Sequence, residues 1–171
     1  MKLQVGSGRV RGHYRRRPWI NMDVFKFDDV NVRGSGCHLP FTDSSFDEVH
    51  CVHVLEHLPR DQYPIMLKEI FRVIEPGGAV FVEVPDLIAT AQWLLKAYLD
   101  RDYRLVHNWV TSIYGKSDVP GMGHQWGFYE LTLIEAIINA GFNKAIRITQ
   151  LKDMISTHYQ QEPILLVKGI K

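Results

Sequence analysis

Four groups of residues in this sequence combine types and spacings that could do chemistry. The first is Gly6-Ser7-Gly8, directly after the run Leu3-Gln4-Val5. A strand running into Gly-x-Gly turns tightly and lets a ligand approach bare backbone. The second is Asp23, which closes the run Trp19–Asp23 fifteen residues after Gly8. An acid about 20 residues beyond such a turn is where a nucleotide ribose presents its hydroxyls. A plain strand-to-turn junction with an ordinary strand-end Asp would look the same. The third is His53-x-x-Glu56-His57, whose histidines share one face of a helix, as two zinc ligands must. The spacing is that of a zinc-peptidase signature, with Glu130 downstream as a conceivable third ligand. Such peptidases are built from larger units, and here the motif follows a strand at a sheet edge, so no metal is expected. The fourth is His124, in Gly121-Met122-Gly123-His124-Gln125-Trp126-Gly127, with Trp109, Tyr114 and Trp126 nearby in sequence. Aromatics around a few polar groups suit a small-molecule pocket, or else a loop pinned to the sheet.

These groups need a scaffold, and the apolar pattern supplies one. Strand-like runs at Leu3–Val5, Trp19–Asp23, Val30–Arg33, Asp47–Val52, Ala79–Val84, Ala145–Gln150 and Ile164–Lys168 alternate with helical periodicity at Gln62–Ile74, Ile88–Leu99 and Leu131–Ala140. A short helix is expected at Val54–Leu58. Alternation of this kind predicts βαβ units and a largely parallel sheet. Pro76-Gly77-Gly78 stops the first long helix, and Gly141 sits where the last needs its C-terminal cap. The stretch Ile113–Phe128 reads as an extended loop, a lid or binding segment.

The ordered set Leu39-Pro40-Phe41, Ser45-Phe46-Asp47, Leu55-Glu56-His57-Leu58 and Pro76-Gly77-Gly78 resembles the class I S-adenosylmethionine-dependent methyltransferases, in their type 11-like subset. The likeness covers Lys2 to about Asp86 and returns at His124 and at Ala140-Gly141-Phe142. It implies a Rossmann-like α/β fold with a seven-stranded, mostly parallel sheet. Strand seven would be antiparallel, inserted between strands five and six. The whole chain, 1–171, would be one domain, with a cofactor half at 1–86, an acceptor and lid region at about 87–130, and a C-terminal helix and hairpin at 131–171. The resemblance further implies that Val5, Gly6, Ser7 and Gly8 lie under the methionine part of S-adenosylmethionine. Asp23 would hold the ribose diol, and Cys37, His38 and Leu39 would border adenine. Val52 and His53 would close the site near the methyl group. Many members place an Asp before Leu-Pro-Phe to reach the adenine amine; here Ser35 stands there.

Methyl transfer to a hydroxyl or amine needs a base, and histidine titrates near neutrality. His53 and His124 are the catalytic candidates. Trp109, Tyr114, His124 and Trp126 are the candidate acceptor-binding residues, and His57 is expected to be structural. A cofactor-binding module without catalysis is the alternative, and a zinc peptidase a distant one.

Composition narrows the partners. Twenty basic against nineteen acidic residues leave a net charge of +1 over 171 residues, so no global field draws the chain to nucleic acid or anionic lipid. No apolar run reaches the ~18 residues of a membrane span. Cys37 and Cys51 match neither zinc nor redox spacing, which points to a reducing, cytoplasmic setting. The expected partner is a small-molecule acceptor, not nucleic acid or membrane. Arg9, Arg11, Arg15, Arg16 and Arg17 form a solvated loop, a clamp for the cofactor carboxylate, or a phosphate-binding patch. The segments Arg9–Pro18 and Val24–Gly36 are too short for two crossover helices plus a strand. Reduced N-terminal helices should then leave apolar sheet uncovered, and a homodimer is one way to cover it.

Overall fold

The computed structural model describes residues 1–9, 12–116, 118–149 and 163–171. Arg11, Gln150 and His158 lie outside the described residues. Seven strands form one sheet: β1 (Lys2–Val5), β2 (Trp19–Asp23), β3 (Val32–Arg33), β4 (Phe46–Val52), β5 (Ile74–Pro85), β6 (Lys144–Arg147) and β7 (Ile164–Ile170). Their order is β3-β2-β1-β4-β5-β7-β6. The first five are parallel, and β7 runs antiparallel between β5 and β6, the topology the resemblance implies. The helices are α1 (Tyr63–Val73), α2 (Leu87–Leu99), α3 (Tyr103–Tyr114) and α4 (Glu130–Asn139). Where full crossover helices would cover the N-terminal strands, the only helical element among the described residues is the 3₁₀ turn Gly12–Arg15.

The two sheet faces follow from the period-two alternation of side chains along a strand. One set, Leu3 and Val5, Val49 and Cys51, Val80, Val82 and Val84, Leu165 and Val167, is buried in a single apolar cluster. Met66, Leu67, Ile70 and Val73 of α1 and Leu133 and Ile137 of α4 belong to the same cluster, because their helical spacing puts them on one stripe. The intervening set is mixed: the polar Gln4, Asn21, His50 and Glu83 are buried too, beside Phe81 and Leu166.

That second face is roofed by Tyr14, only 4% exposed. Its phenolic oxygen lies 2.7 Å from His50 Nδ1, and Asn21 Nδ2 donates to its backbone carbonyl at 2.8 Å. Trp19 meets both rings edge-on, at 4.7 Å from Tyr14 and 4.4 Å from His50. His50 Nε2 in turn lies 2.7 Å from Glu48, whose other oxygen accepts from Lys2 at 3.0 Å. The expectation of bare apolar sheet is therefore not met. Over β1, β2 and β4 the second face carries the linked groups Tyr14, His50, Glu48 and Lys2, with the buried Gln4 and Asn21 side-chain oxygens left without a hydrogen-bond partner among the described residues.

The long helix α3 was not expected; the sequence reading placed the start of a loop inside it. Its signals are present in retrospect: Asp102 caps it by accepting from the Leu105 N–H at 3.1 Å, and Leu105, Val106, Trp109, Val110 and Ile113 recur at helical spacing. It packs against α2, which Asp86 caps in the same way through Ala89 at 3.1 Å. No helix among the described residues is long and apolar enough to cross a membrane.

The polar face yields a pH prediction. The hydrogen bond from His50 lowers the Glu48 pKa most, with help from Lys2 and against partial burial, and holds it at about 2. A carboxylate depressed in the fold contributes stability that is complete above its unfolded pKa and is lost as pH falls through the folded one. Acid unfolding should therefore carry a component between about pH 4.5 and pH 2. Glu48→Gln should flatten the urea midpoint against pH over that window, and an unchanged slope would remove Glu48 from the account.

Candidate active site

Parallel pairing brings the ends of β1 and β2 side by side, and there the first two sequence cues meet. Gly6 and Gly8 have φ of +67° and +54°, which other residues adopt only under strain. A Cβ on Gly6 would stand 2.2 Å from Val54 Cγ2, so only glycine lets the turn pass the segment after β4; at Gly8 a Cβ would meet open space. Asp23, 7% exposed, accepts from the Gly8 N–H at 2.8 Å and from the Phe25 N–H at 2.7 Å, one on each oxygen. Ser7 N–H donates to the Met22 carbonyl at 3.0 Å, which closes the turn.

Cys37, His38 and Leu39 do not present themselves as a set. Leu39 is 2% exposed and packs in the core, with its N–H bonded to Glu69 and its carbonyl to Arg72. Its side chain thus offers a ligand no surface, which corrects the expected adenine border there. Cys37 is half-buried and its thiol lies 3.6 Å from the Gln62 carbonyl; burial pushes its pKa up. His38 is exposed, and Ser35 Oγ is used locally, accepting from the Cys37 N–H.

Past the C-terminal ends of β4 and β5 lies a cavity of about 490 Å³. Its polar wall is made by His53, Glu56, His57, Lys116 and His124, with Trp109 among the apolar ones. The expected residues divide accordingly. Trp109 and His124 line it; Tyr114 is exposed away from it, and Trp126 lies under the guanidinium of Arg60, 4.7 Å from its ring.

His53 follows β4 with φ +52°. Its Nδ1 lies 3.1 Å from Glu56 and its Nε2 3.2 Å from Glu83, both carboxylates 1% exposed, and its N–H donates to the Glu83 carbonyl at 2.8 Å. Burial pulls the imidazole pKa down, but the bonds and charges of Glu56 and Glu83 outweigh it and push it up to about 10. His53 is thus an imidazolium at neutral pH with both ring nitrogens engaged. That corrects its expected role as a general base, which requires an unprotonated nitrogen. Glu56 shows the converse: burial raises its pKa, the bond and charge of His53 lower it further, and the net shift is downward.

The zinc-peptidase arrangement is not assembled either. The motif forms a 3₁₀ turn, Leu55–His57, His53 is occupied by carboxylates, and Glu130 bonds Arg147 at 2.9 Å.

His124 behaves differently from His53. Its Nδ1 lies 3.2 Å from the Ile113 carbonyl, and since a carbonyl only accepts, that nitrogen carries the proton. Burial is the largest influence on its pKa and the net shift is downward, so the ring is neutral at pH 7 with Nε2 unprotonated. The glycines around it serve close approach. Gly115 and Gly123 form a β-bridge, and a Cβ on Gly115 would stand 2.4 Å from the Met122 carbonyl. The N–H groups of Gln125 and Trp126 donate to the Glu56 carbonyl at 2.7 and 3.2 Å, which fastens the segment to the turn. Glu56, Glu83 and His57 were missed as site residues. The first and third were assigned to a pattern, and the second lies mid-strand with no local signal.

Removing His53 leaves Glu56 and Glu83 without their shared cation in a dry site. Breaking a buried pair in this way costs about 3–5 kcal/mol. Urea denaturation of His53→Ala should show a loss of that order; a loss below about 1 kcal/mol, the range of an exposed pair, would show that the cluster is not the clamp described.

Comparison with known proteins agrees with this architecture. A family described as "Methyltransferase domain" matches residues 4–82. An uncharacterised protein of Methanocaldococcus jannaschii is 31% identical over 83 residues, 48% of this chain and 34% of that protein. The demethylmenaquinone methyltransferase of Geobacillus sp. (strain WCH70) is 33% identical over 78 residues, 46% of this chain and 28% of the enzyme. The chain therefore spans about a third of the length of these curated relatives. Among solved structures, an S-adenosylmethionine-dependent methyltransferase of Thermotoga maritima, described as a possible histamine N-methyltransferase, superposes with TM-score 0.63 at 19% identity, covering 99% of this chain and 81% of that one. The Burkholderia thailandensis 1,6-didemethyltoxoflavin-N1-methyltransferase, with that compound and S-adenosylhomocysteine bound, gives 0.58 at 16% identity, covering 99% and 70%. Residues 4–82 thus match a methyltransferase domain, and the whole chain has the strand order and fold of these solved S-adenosylmethionine-dependent methyltransferases.

Proposed function

We propose that the protein transfers a methyl group from S-adenosylmethionine to an oxygen or nitrogen of a small molecule held in the cavity beyond β4 and β5. The observation that carries this reading is the placement of two different half-sites along one sheet edge. At β1 and β2 a glycine turn is bonded to a buried acid; at β4 and β5 a cavity carries an unprotonated imidazole nitrogen.

The cofactor half fits the group it would hold. Gly8 fronts open space, and among the described residues each oxygen of Asp23 accepts one backbone N–H, which leaves acceptor capacity for two ribose hydroxyls. Val5, Gly6, Ser7 and Gly8 would lie under the methionine portion, with Cys37 and His38 toward the adenine and Val52 and His53 toward the reacting end. S-adenosylmethionine supplies an electrophilic methyl on a sulfonium sulfur.

The residues of this chain do the rest. Trp109 and Pro85 help shield the cavity from water, and His124 faces the acceptor. The cavity residues would hold an acceptor lone pair in line with that methyl, whose bonding pair the sulfonium sulfur would keep. The acceptor's proton leaves to His124 Nε2 or solvent. His53, already protonated, keeps Glu56 and the turn in place and takes no proton. The small-molecule acceptors named for the menaquinone and toxoflavin enzymes support this acceptor class.

Two outcomes test the reading. S-adenosylhomocysteine at 100 times its dissociation constant should stabilise the fold by about 2.7 kcal/mol in a thermal-shift experiment, and Asp23→Ala should remove most of that gain. No shift at millimolar ligand would overturn the cofactor site. Labelled methyl transfer to a panel of hydroxyl and amine acceptors should fall ~10²–10⁴-fold in His124→Ala while cofactor affinity is kept. Cofactor binding with no turnover on any acceptor would favour a non-catalytic module.

A further inference from the structure

We propose that Glu56, His57 and His124 form a binding site for a divalent first-row transition ion, open to the acceptor cavity. One ligand atom from each, a carboxylate oxygen and two ring nitrogens, lie within 4.8 Å of one another. Two imidazoles and a carboxylate are the donor set of many three-ligand zinc sites, which keep a further position open. The set is too nitrogen-rich for calcium or magnesium, which take oxygen ligands.

The second line of argument is the tautomers. His57 Nδ1 lies 3.2 Å from the Gly123 carbonyl, as His124 Nδ1 lies from that of Ile113. Both carbonyls can only accept, so both Nδ1 atoms donate, which leaves Nε2 as the nitrogen of each ring available to a ligand. An imidazole fixed by a carbonyl on one nitrogen is how proteins aim the other at a metal. The rings stand 4.9 Å apart, edge to face.

The third is Glu56. Its Oε1 is bonded to His53, while Oε2 is buried with no hydrogen-bond partner, in a residue 1% exposed. A cation held by this oxygen and the two ring nitrogens would give all three residues a partner at once. The trio is not the one the sequence suggested: His53 is spent on its carboxylates, and His124 arrives from the far segment because that segment is tied to the Glu56 carbonyl. All three residues line the cavity, so the open coordination positions face the acceptor and would take a hydroxyl or carboxylate oxygen from it. That role rests on the methyl-transfer reading and the cation site itself does not; with an ion bound, His124 Nε2 is a ligand and the acceptor's proton would leave to solvent instead.

The test uses the full chain after chelator treatment, titrated calorimetrically with ZnCl₂, MnCl₂ and CoCl₂, with visible absorption recorded for cobalt. One equivalent should bind, with cobalt d–d bands. His57→Ala and His124→Ala should each weaken binding at least about 100-fold, since even outer-shell partners contribute 10–100-fold. His107→Ala lines the same cavity outside the trio and should bind as the parent does. Circular dichroism shows that each variant is folded. Affinity no better than about 1 mM, or binding that survives both substitutions, would overturn the site. S-adenosylhomocysteine binding, measured on the same metal-free samples, separates the readings. Cofactor binding without metal binding sinks this site alone, and metal binding without cofactor binding sinks the methyl-transfer reading alone.

Discussion

The arrangement of this molecule turns on one imidazolium. His53 leaves β4 in a left-handed conformation and is held between Glu56 on the following turn and Glu83 on the neighbouring strand. Two buried carboxylates placed so close repel each other, and His53 between them supplies one positive charge that both share. The pair fixes the Leu55–His57 turn against β5. That turn's carbonyl then binds the Gln125 and Trp126 N–H groups, so the segment bearing His124 is anchored through it. Such a buried ionic cluster is weak evidence for net stability, since taking ions out of water is costly. Its evident product here is position: three elements distant in sequence converge on one cavity wall.

The same economy explains how a small sheet does without two full crossover helices. A parallel sheet needs both faces covered, ordinarily by helices. Here one face is apolar and takes α1 and α4, while the other carries Gln4, Asn21, Glu48 and His50, roofed by Tyr14. Burying polar groups is tolerable only when they find partners, and the Tyr14–His50–Glu48–Lys2 chain supplies them for His50 and Glu48. The glycine turn and Asp23 stay at the open edge of that face's first strands, where the backbone is accessible.

What was legible in the sequence was local. Alternation and helical periodicity located all seven strands and three of the four helices, and Gly8 and Asp23 meet as their spacing after adjacent parallel strands required. Leu39 was misplaced because a motif position says nothing of which way a side chain faces. Glycines that allow mobility and glycines that allow close approach read alike in a sequence, and α3 runs into the aromatic-rich stretch that reads there as a loop. His53 was read as a base because its partner Glu83 sits thirty residues on, paired through the sheet register with Val52 and invisible to any local pattern. Charge pairing across strands is a property of topology, and only the folded chain displays it.

A crystal structure of the complex with S-adenosylhomocysteine tests the central claim, that two half-sites along one sheet edge make a single methyl-transfer site. The account predicts the ribose hydroxyls on Asp23, the methionine portion over Gly6–Gly8, and the sulfur directed toward the cavity where His53 and His124 stand. A ligand bound elsewhere, or bound at Asp23 with its sulfur turned away from that cavity, would contradict it.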